Sequence, residues 1–293
     1  MEPEGIFELV GRAKAAGCSE ALLTLGERPE VHIEAKEKLR ELGYGMTVDY
    51  LVDLCRQILE LGLLPHTNAG VLGKKELRRL RRYNASMGLM LECLADLPAH
   101  AQSPGKDPKL RLEVIKSAGE LKIPFTTGLL VGIGETPEDR VRSLLAIRDL
   151  HERYGHIQEV IIQPFEPKPG TPMENYPRPS QSELLMTVAL ARSLMPGMSI
   201  QVPPNLVHDI KPFLLRGAND LGGISTVTPD FINPENPWPS IKKLKSMIMK
   251  AGFKPRERLP IYPRYAKNSR FMSSEVRARV TELIDEDGYR RLS

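Results

Sequence analysis

The chain has 293 residues, 41% hydrophobic and 27% charged, with a net charge of 41 − 37 = +4. That composition excludes a disordered chain, and so mild a basic excess does not by itself point to nucleic acid. A chain of this length buries roughly three quarters of its unfolded surface, so a full core can form in one large domain or two small ones. No run reaches the ~18 apolar residues of a membrane span. The opening MEPEGIFELV has neither the basic start nor the apolar core of a signal peptide. Cys18, Cys55 and Cys93 are odd in number and widely spaced, which suits neither a disulfide framework nor a compact metal motif. The cytoplasm is the expected compartment.

In chain order the pattern alternates. Residues 3–16 read as a helix, with Ile6, Leu9, Val10 and Ala13 at helical spacing and Gly17 as the stop. Residues 20–25 read as a buried strand. Residues 47–61 read as an amphipathic helix capped by Thr47, with Tyr50, Leu51, Leu54, Ile58 and Leu61 on one face. A strand at 63–67, a basic helix at 74–82 and a strand at 86–92 follow. Then come a helix at 109–121 and a strand at 124–131 that runs into a Gly-rich turn. Thr136 caps the next helix, with Pro137 in its first position. A strand at 157–163, a helix at 180–194 and a strand at 198–202 complete the series. Residues 163–179 and 228–239 are Pro-rich and predict rigid, largely extended loops.

Strand and helix in repeated alternation predict right-handed crossovers and a parallel sheet. The expected fold is α/β, a partial TIM-type (β/α) barrel in one domain over 1–293. The barrel covers about 1–205 and a C-terminal elaboration about 206–293. A barrel of this kind begins with a strand, whereas this chain begins with a helix. A first strand is therefore expected to be missing from the N-terminus.

In parallel α/β folds, ligand groups follow the C-terminal ends of strands. Polar or glycine positions recur there: Gly26-Glu27, His66 to Gly70, Glu92, Gly132 to Thr136, Gln163, and Gly217 to Gly223. Each has a plain structural alternative. Glu135 suits the N-terminus of the following helix, Asp220 its glycine turn, Arg111 a solvated helix face and His66 a satisfied core position. The run Lys74, Lys75, Arg78, Arg79, Arg81 and Arg82 reads as a solvated helix face, and Cys55 and the methionines as core.

Taken in order, "TLGERPE", "PHTNAGVL", "NASMGLMLE", "TTGLLVGIGET", "QPFEPKPGTPM", "GANDLGGIS" and "TPDFINPENPWP" span Thr24 to Pro239. This set resembles the radical S-adenosylmethionine (SAM) enzymes, and more closely the deazaflavin-forming enzymes of F-420 coenzyme biosynthesis. The resemblance implies a lyase-type synthase that uses SAM and a [4Fe-4S] cluster, with an electron donor for the cluster. A 5′-deoxyadenosyl radical takes hydrogen from a hydroxybenzyl–ribityl-diaminouracil adduct, and ring closure releases ammonia. A companion radical SAM subunit makes the adduct.

By the same resemblance, Gly26 and Glu27 receive the SAM amino group, Ser86 and Glu92 face the ribose, and Arg111 meets the SAM carboxylate. Gly132, Gly134 and Glu135 form the adenine-side turn. Asn68, Gln163, Asn219 and Asp220 face the substrate. Tyr44, His66, Glu166 and His208 stay open as proton-handling groups, none favoured by spacing.

The resemblance also implies a C-x3-C-x2-C cluster loop after the first strand, and no such loop is present. The expectation is an N-terminally truncated chain that carries no metal ligands of its own and is inactive as written. Two alternatives remain: the companion subunit that couples tyrosine to ribityl-diaminouracil, and a cluster-free SAM-binding protein.

Overall fold

The computed structural model describes residues 1–291. In order, the elements are α1 (Pro3–Ala15), β1 (Glu20–Thr24), α2 (Ile33–Glu41), α3 (Thr47–Leu61), β2 (Leu64–Asn68), α4 (Lys74–Arg81), β3 (Ser86–Gly88), α5 (Pro108–Glu120), β4 (Phe125–Val131), α6 (Pro137–Tyr154), β5 (Ile157–Pro164), α7 (Gln181–Leu194), β6 (Ser199–Gln201), α8 (Lys211–Leu215), α9 (Ile241–Lys250), α10 (Pro263–Ala266) and α11 (Ser274–Leu283). The six strands hydrogen-bond in the order β1-β2-β3-β4-β5-β6. Strand order equal to chain order is the order of a singly wound α/β fold, as the alternation predicts.

Contacts group the chain into two compact units. One holds Met1–Leu89, Lys116–Phe125 and Arg256–Ser293, and the other Met90–Ile115 and Thr126–Pro255. The stretch 206–293, expected as one elaboration, is thus divided between them.

In the first unit, β1 pairs in parallel with β2 and β2 with β3, with His66 opposite Ser86. α3 forms because apolar residues recur at helical spacing, and Leu51, Leu54 and Ile58 are buried. Leu54, Ile58 and Leu63 make a core with Val10 of α1. A second core joins Leu59, Leu64 and Ala85 to Leu259, Ile261 and Tyr265 and to Val276 and Val280 of α11. α4 buries Leu77 and Leu80 and turns Arg78 and Arg79 outward, as the basic run predicts, whereas Arg81 is half-buried and donates to the Arg270 carbonyl.

In the second unit, β5 pairs in parallel with β6, with Glu159 opposite Ser199. Local chemistry sets two helix starts. Thr136 accepts from Asp139 N while Thr136 N donates to the Asp139 carboxylate, and Ser180 and Glu183 repeat the exchange. Ile210, Leu214 and Leu244 build a core under α8 and α9.

Three local expectations need correction. Thr47 is not a cap; it is the first residue of α3, and its hydroxyl donates to Glu30. Leu61 leaves the apolar face and is exposed at the end of the helix. The strand expected over 86–92 ends at Gly88, and Glu92, left-handed at φ 66°, returns to β4 only as an isolated parallel bridge to Leu129. α2 carries no sequence signal: its mixed charges surround one buried residue, Leu39, and give no apolar period.

Candidate functional site

In the first unit, Gly26 and Glu27 follow β1 and are exposed. Gly70, with φ +70°, sits so close to Glu27 that a Cβ there would lie 3.0 Å from the Glu27 Cβ. Glycine at 70 therefore lets the Glu27 stem pass. Arg28, itself left-handed at φ 41°, pairs with both carboxylate oxygens of Glu76 at 3.0 and 3.3 Å. Asn68 ends β2 and is half-buried.

Ser86 is fully buried, and its hydroxyl is occupied. Ser86 Oγ donates to the Pro260 carbonyl at 2.7 Å, and His66 Nδ1 lies 2.7 Å from the same oxygen. Behind this face, Thr67 donates to Asn84 Oδ1 at 2.7 Å, and Asn84 Nδ2 donates to Cys55 Sγ at 3.3 Å.

In the second unit, Glu92 and Arg111 are brought together. Arg111 Nη1 lies 3.0 Å from Glu92 Oε1, Lys106 Nζ bonds the same oxygen, and His100 Nε2 lies 2.9 Å from Oε2. Arg111 also donates to the Met90 and Gly105 carbonyls, which fixes its fork. Burial alone would raise the Glu92 pKa. The contact with His100 and the charges of Lys106 and Arg111 outweigh it and hold the carboxyl down at about 2. Arg111 is thus no solvated helix residue; it is 5% exposed. One carboxylate faces two permanent cations, which leaves a local positive excess suited to an anionic group.

The turn after β4 is closed by its own acid. Glu135 accepts from Gly132 N at 2.9 Å, Ile133 N at 2.8 Å and Arg140 Nε at 2.7 Å. The cap of α6 is Thr136, so Glu135 is a brace of the turn and not the cap. Gly134 is exposed with φ +100° and has nothing within 4 Å of a built Cβ.

Gln163 is half-buried on β5. Asn219 Oδ1 accepts from Arg192 Nη2 at 2.9 Å and Ile200 N at 2.8 Å, and Asp220 Oδ1 accepts from Gly222 N at 2.7 Å. Those bonds shape the turn after β6.

Among the proton candidates, Tyr44 donates to Asp53 at 2.7 Å, and that bond, with burial, pushes its hydroxyl up to about 12. Glu166 lies 2.5 Å from Arg178, yet burial outweighs that charge and raises its pKa. His208 is exposed. Burial, with the charge of Arg258, pushes His66 down to about 4.

Sequence reasoning missed Lys106, His100 and Arg140. Lys106 and His100 lie in the irregular stretch between Glu92 and Arg111, where no periodicity marks a side chain. Arg140 carried a faint signal, an opposite charge five residues after Glu135 on a helix start.

Among the described residues, no group of three or more His, Cys, Asp or Glu side chains is placed to hold a metal ion. Burial pushes the Cys55 thiol up to about 11 against its bonds to Thr67 and Asn84, and burial also raises Cys93. Protonated, buried thiols on different elements do not fit an iron–sulfur cluster, which needs thiolates gathered in one loop. No helix among the described residues is long and apolar enough to cross a membrane.

Residues 1–147 match the family model described as the Radical SAM superfamily, and this sets the class. Two solved structures share the fold. Methylornithine synthase aligns with a TM-score of 0.59 at 22% identity over 87% of this chain and 74% of that one. The FeFe-hydrogenase maturase from Carboxydothermus hydrogenoformans aligns with a TM-score of 0.69 at 17% identity over 95% and 68%. A 7,8-didemethyl-8-hydroxy-5-deazariboflavin synthase from Methanopyrus kandleri is 53% identical over 301 residues, covering 99% of this chain and 89% of the relative. Its namesake from Archaeoglobus fulgidus is 51% identical with the same coverage. The chain belongs to this family of radical SAM enzymes, the 7,8-didemethyl-8-hydroxy-5-deazariboflavin synthases. Membership implies SAM and a [4Fe-4S] cluster as the family's cofactors and a small molecule as its substrate.

Proposed function

We propose that the chain provides the SAM and substrate site of a synthase that closes a hydroxybenzyl–ribityl-diaminouracil adduct to the deazaflavin with loss of ammonia, in F-420 coenzyme biosynthesis, and that it is inactive without cluster ligands beyond its described thiols. The observation that carries this reading is the 53% identity, over nearly the whole chain, to a relative of that name. The same relatives favour it over the companion enzyme that couples tyrosine to ribityl-diaminouracil. In this reading the companion supplies the adduct and an electron donor serves the cluster. The chain works as one domain in the cytoplasm.

The donor chemistry around Glu92 fits SAM. Arg111 and Lys106 carry the excess charge that a carboxylate neutralises, and the Glu92 carboxylate accepts from ribose hydroxyls. Glu27, an exposed carboxylate after β1, takes the amino group beside Gly26. Gly132 and Gly134 present a turn, braced by Glu135, to the adenine. Ser86 acts through its neighbour His66. Asn68, Gln163, Asn219 and Asp220 are assigned to the substrate. When bound, SAM is the source of the 5′-deoxyadenosyl radical.

The test has two arms. Equilibrium binding of SAM to the full chain is expected to weaken about tenfold or more in Arg111→Met, the loss of one charge-assisted contact. Unchanged affinity removes the assignment. Anaerobic reconstitution is expected to load far fewer than the roughly four irons per chain of a [4Fe-4S] protein, because the described thiols do not form a set. About four irons per chain, with deazaflavin formed from the adduct, overturns the cluster statement and confirms the reaction.

A further inference from the structure

His66 holds a hydrogen-bonding arrangement whose proton positions follow from chemistry alone. A carbonyl cannot donate, so in the contact between Ser86 Oγ and the Pro260 carbonyl the hydroxyl proton belongs to Ser86. A serine has one proton to give. The same oxygen must therefore accept from His66, 2.7 Å away, and His66 carries its proton on Nδ1. Nε2 is left as a bare lone pair. It has no partner among the described residues, although the side chain is 8% exposed. Nε2 keeps contact with solvent, so a donor on a bound molecule can take the place of water there. His66 lies on β2, two residues before its C-terminal end, where parallel α/β folds place ligand contacts.

We propose that His66 is a specificity-determining residue of the substrate site, its Nε2 accepting a hydrogen bond from a neutral N–H or O–H donor on the bound molecule. Ser86 is the positioning residue: it fixes the tautomer and so the sense of the bond. The proposal rests on the functional reading above, in which the substrate carries such donors as ring amine hydrogens and ribityl hydroxyls. An anionic group is rejected, because two lone pairs would meet. A cationic group is disfavoured by the charge of Arg258, which acts on the ring.

The experiment uses the full chain with its histidines 15N-labelled, and the hydroxybenzyl–ribityl-diaminouracil adduct as the probe. The free protein is expected to show His66 as one tautomer protonated at Nδ1, and Ser86→Ala is expected to bring in the second tautomer. Adding the probe is expected to move the Nε2 resonance. By calorimetry His66→Asn, which keeps a donor toward Ser86 and loses Nε2, is expected to bind about tenfold or more weakly, the effect of ~1.4 kcal/mol. His66→Gln, which sets an acceptor near the Nε2 position, is expected to restore most of the affinity. Should the asparagine variant fail to fold, the Nε2 resonance of the parent chain still decides. Binding without any Nε2 shift, or equal affinity in all variants, overturns the assignment of His66 while the functional reading stands. A parent chain that binds no probe at all sinks the reading and this proposal with it.

Discussion

Arg111 Nη1 lies 3.0 Å from Glu92 Oε1, and both side chains are more than nine-tenths buried. A buried pair of this kind is costly to break from one side, because the remaining charge keeps its desolvation penalty without its partner. Glu92→Gln leaves Arg111 and Lys106 facing a neutral amide. Urea denaturation is expected to show a loss of about 3 kcal/mol. A midpoint equal to that of the parent chain refutes the cluster as a structural element.

Two strongly shifted buried groups, His66 and Glu92, titrate in acid over different windows. The pKa of His66 is about 4 in the fold, below its ordinary 6.5. Between those values the unfolded chain binds the proton and the native chain does not. Stability from this group is complete above pH 6.5 and falls as the pH drops toward 4. Glu92, at about 2 against 4.5, contributes stability that is complete above pH 4.5 and is lost as the pH falls toward 2. His66→Gln is therefore expected to flatten the slope between pH 6.5 and 4.5, where Glu92 is silent. The contribution of His66 is about 3 kcal/mol, the gap between 6.5 and about 4 at ~1.36 kcal/mol per pH unit. Urea midpoints at four pH values check this; an unchanged slope in the variant contradicts it.

Cys55 is fully buried in α3, and its thiol stands at about 11. Only the thiolate reacts with a maleimide, and burial also denies access. Labelling of the native chain near pH 7.5 is expected to leave Cys55 about a hundredfold slower than in urea, because reaction waits on opening of the core. Peptide mapping reads the rate at each cysteine. Rapid labelling of Cys55 in the folded chain would refute its place in the core.

What could be read from the sequence was what is decided locally. Thr136 with Pro137 and Asp139, and Ser180 with Glu183, cap their helices by contacts three residues apart, and both starts were legible. So were the apolar face of α3 and the outward basic face of α4, since each is a period of the chain. The pairing of Glu92 with Arg111, Lys106 and His100 was not, because it depends on a left-handed residue and a folded loop. The His66–Ser86–Pro260 chain was equally hidden, since Pro260 is 174 residues from Ser86. α2 was missed because a helix stabilised by charges around Leu39 carries no apolar signal.

Two glycines of one motif test the difference between space and backbone freedom. Gly128 lies within β4, and a Cβ built there falls 2.1 Å from the Ile161 carbonyl oxygen of β5. That neighbour is backbone in a paired strand and has nowhere to go. Gly134 has φ +100° but open space around its Cβ position. Its substitution strains only the residue itself. Gly128→Ala is expected to cost at least ~3 kcal/mol or to prevent soluble expression, as forced overpacking of a strand pair does. Gly134→Ala is expected to cost about 1–2 kcal/mol, the strain of a left-handed backbone, with Asn milder than Ala. Thermal and urea melts of the variants give the ranking. If Gly134→Ala proves the more damaging, this turn is held to its shape by something other than the Glu135 brace.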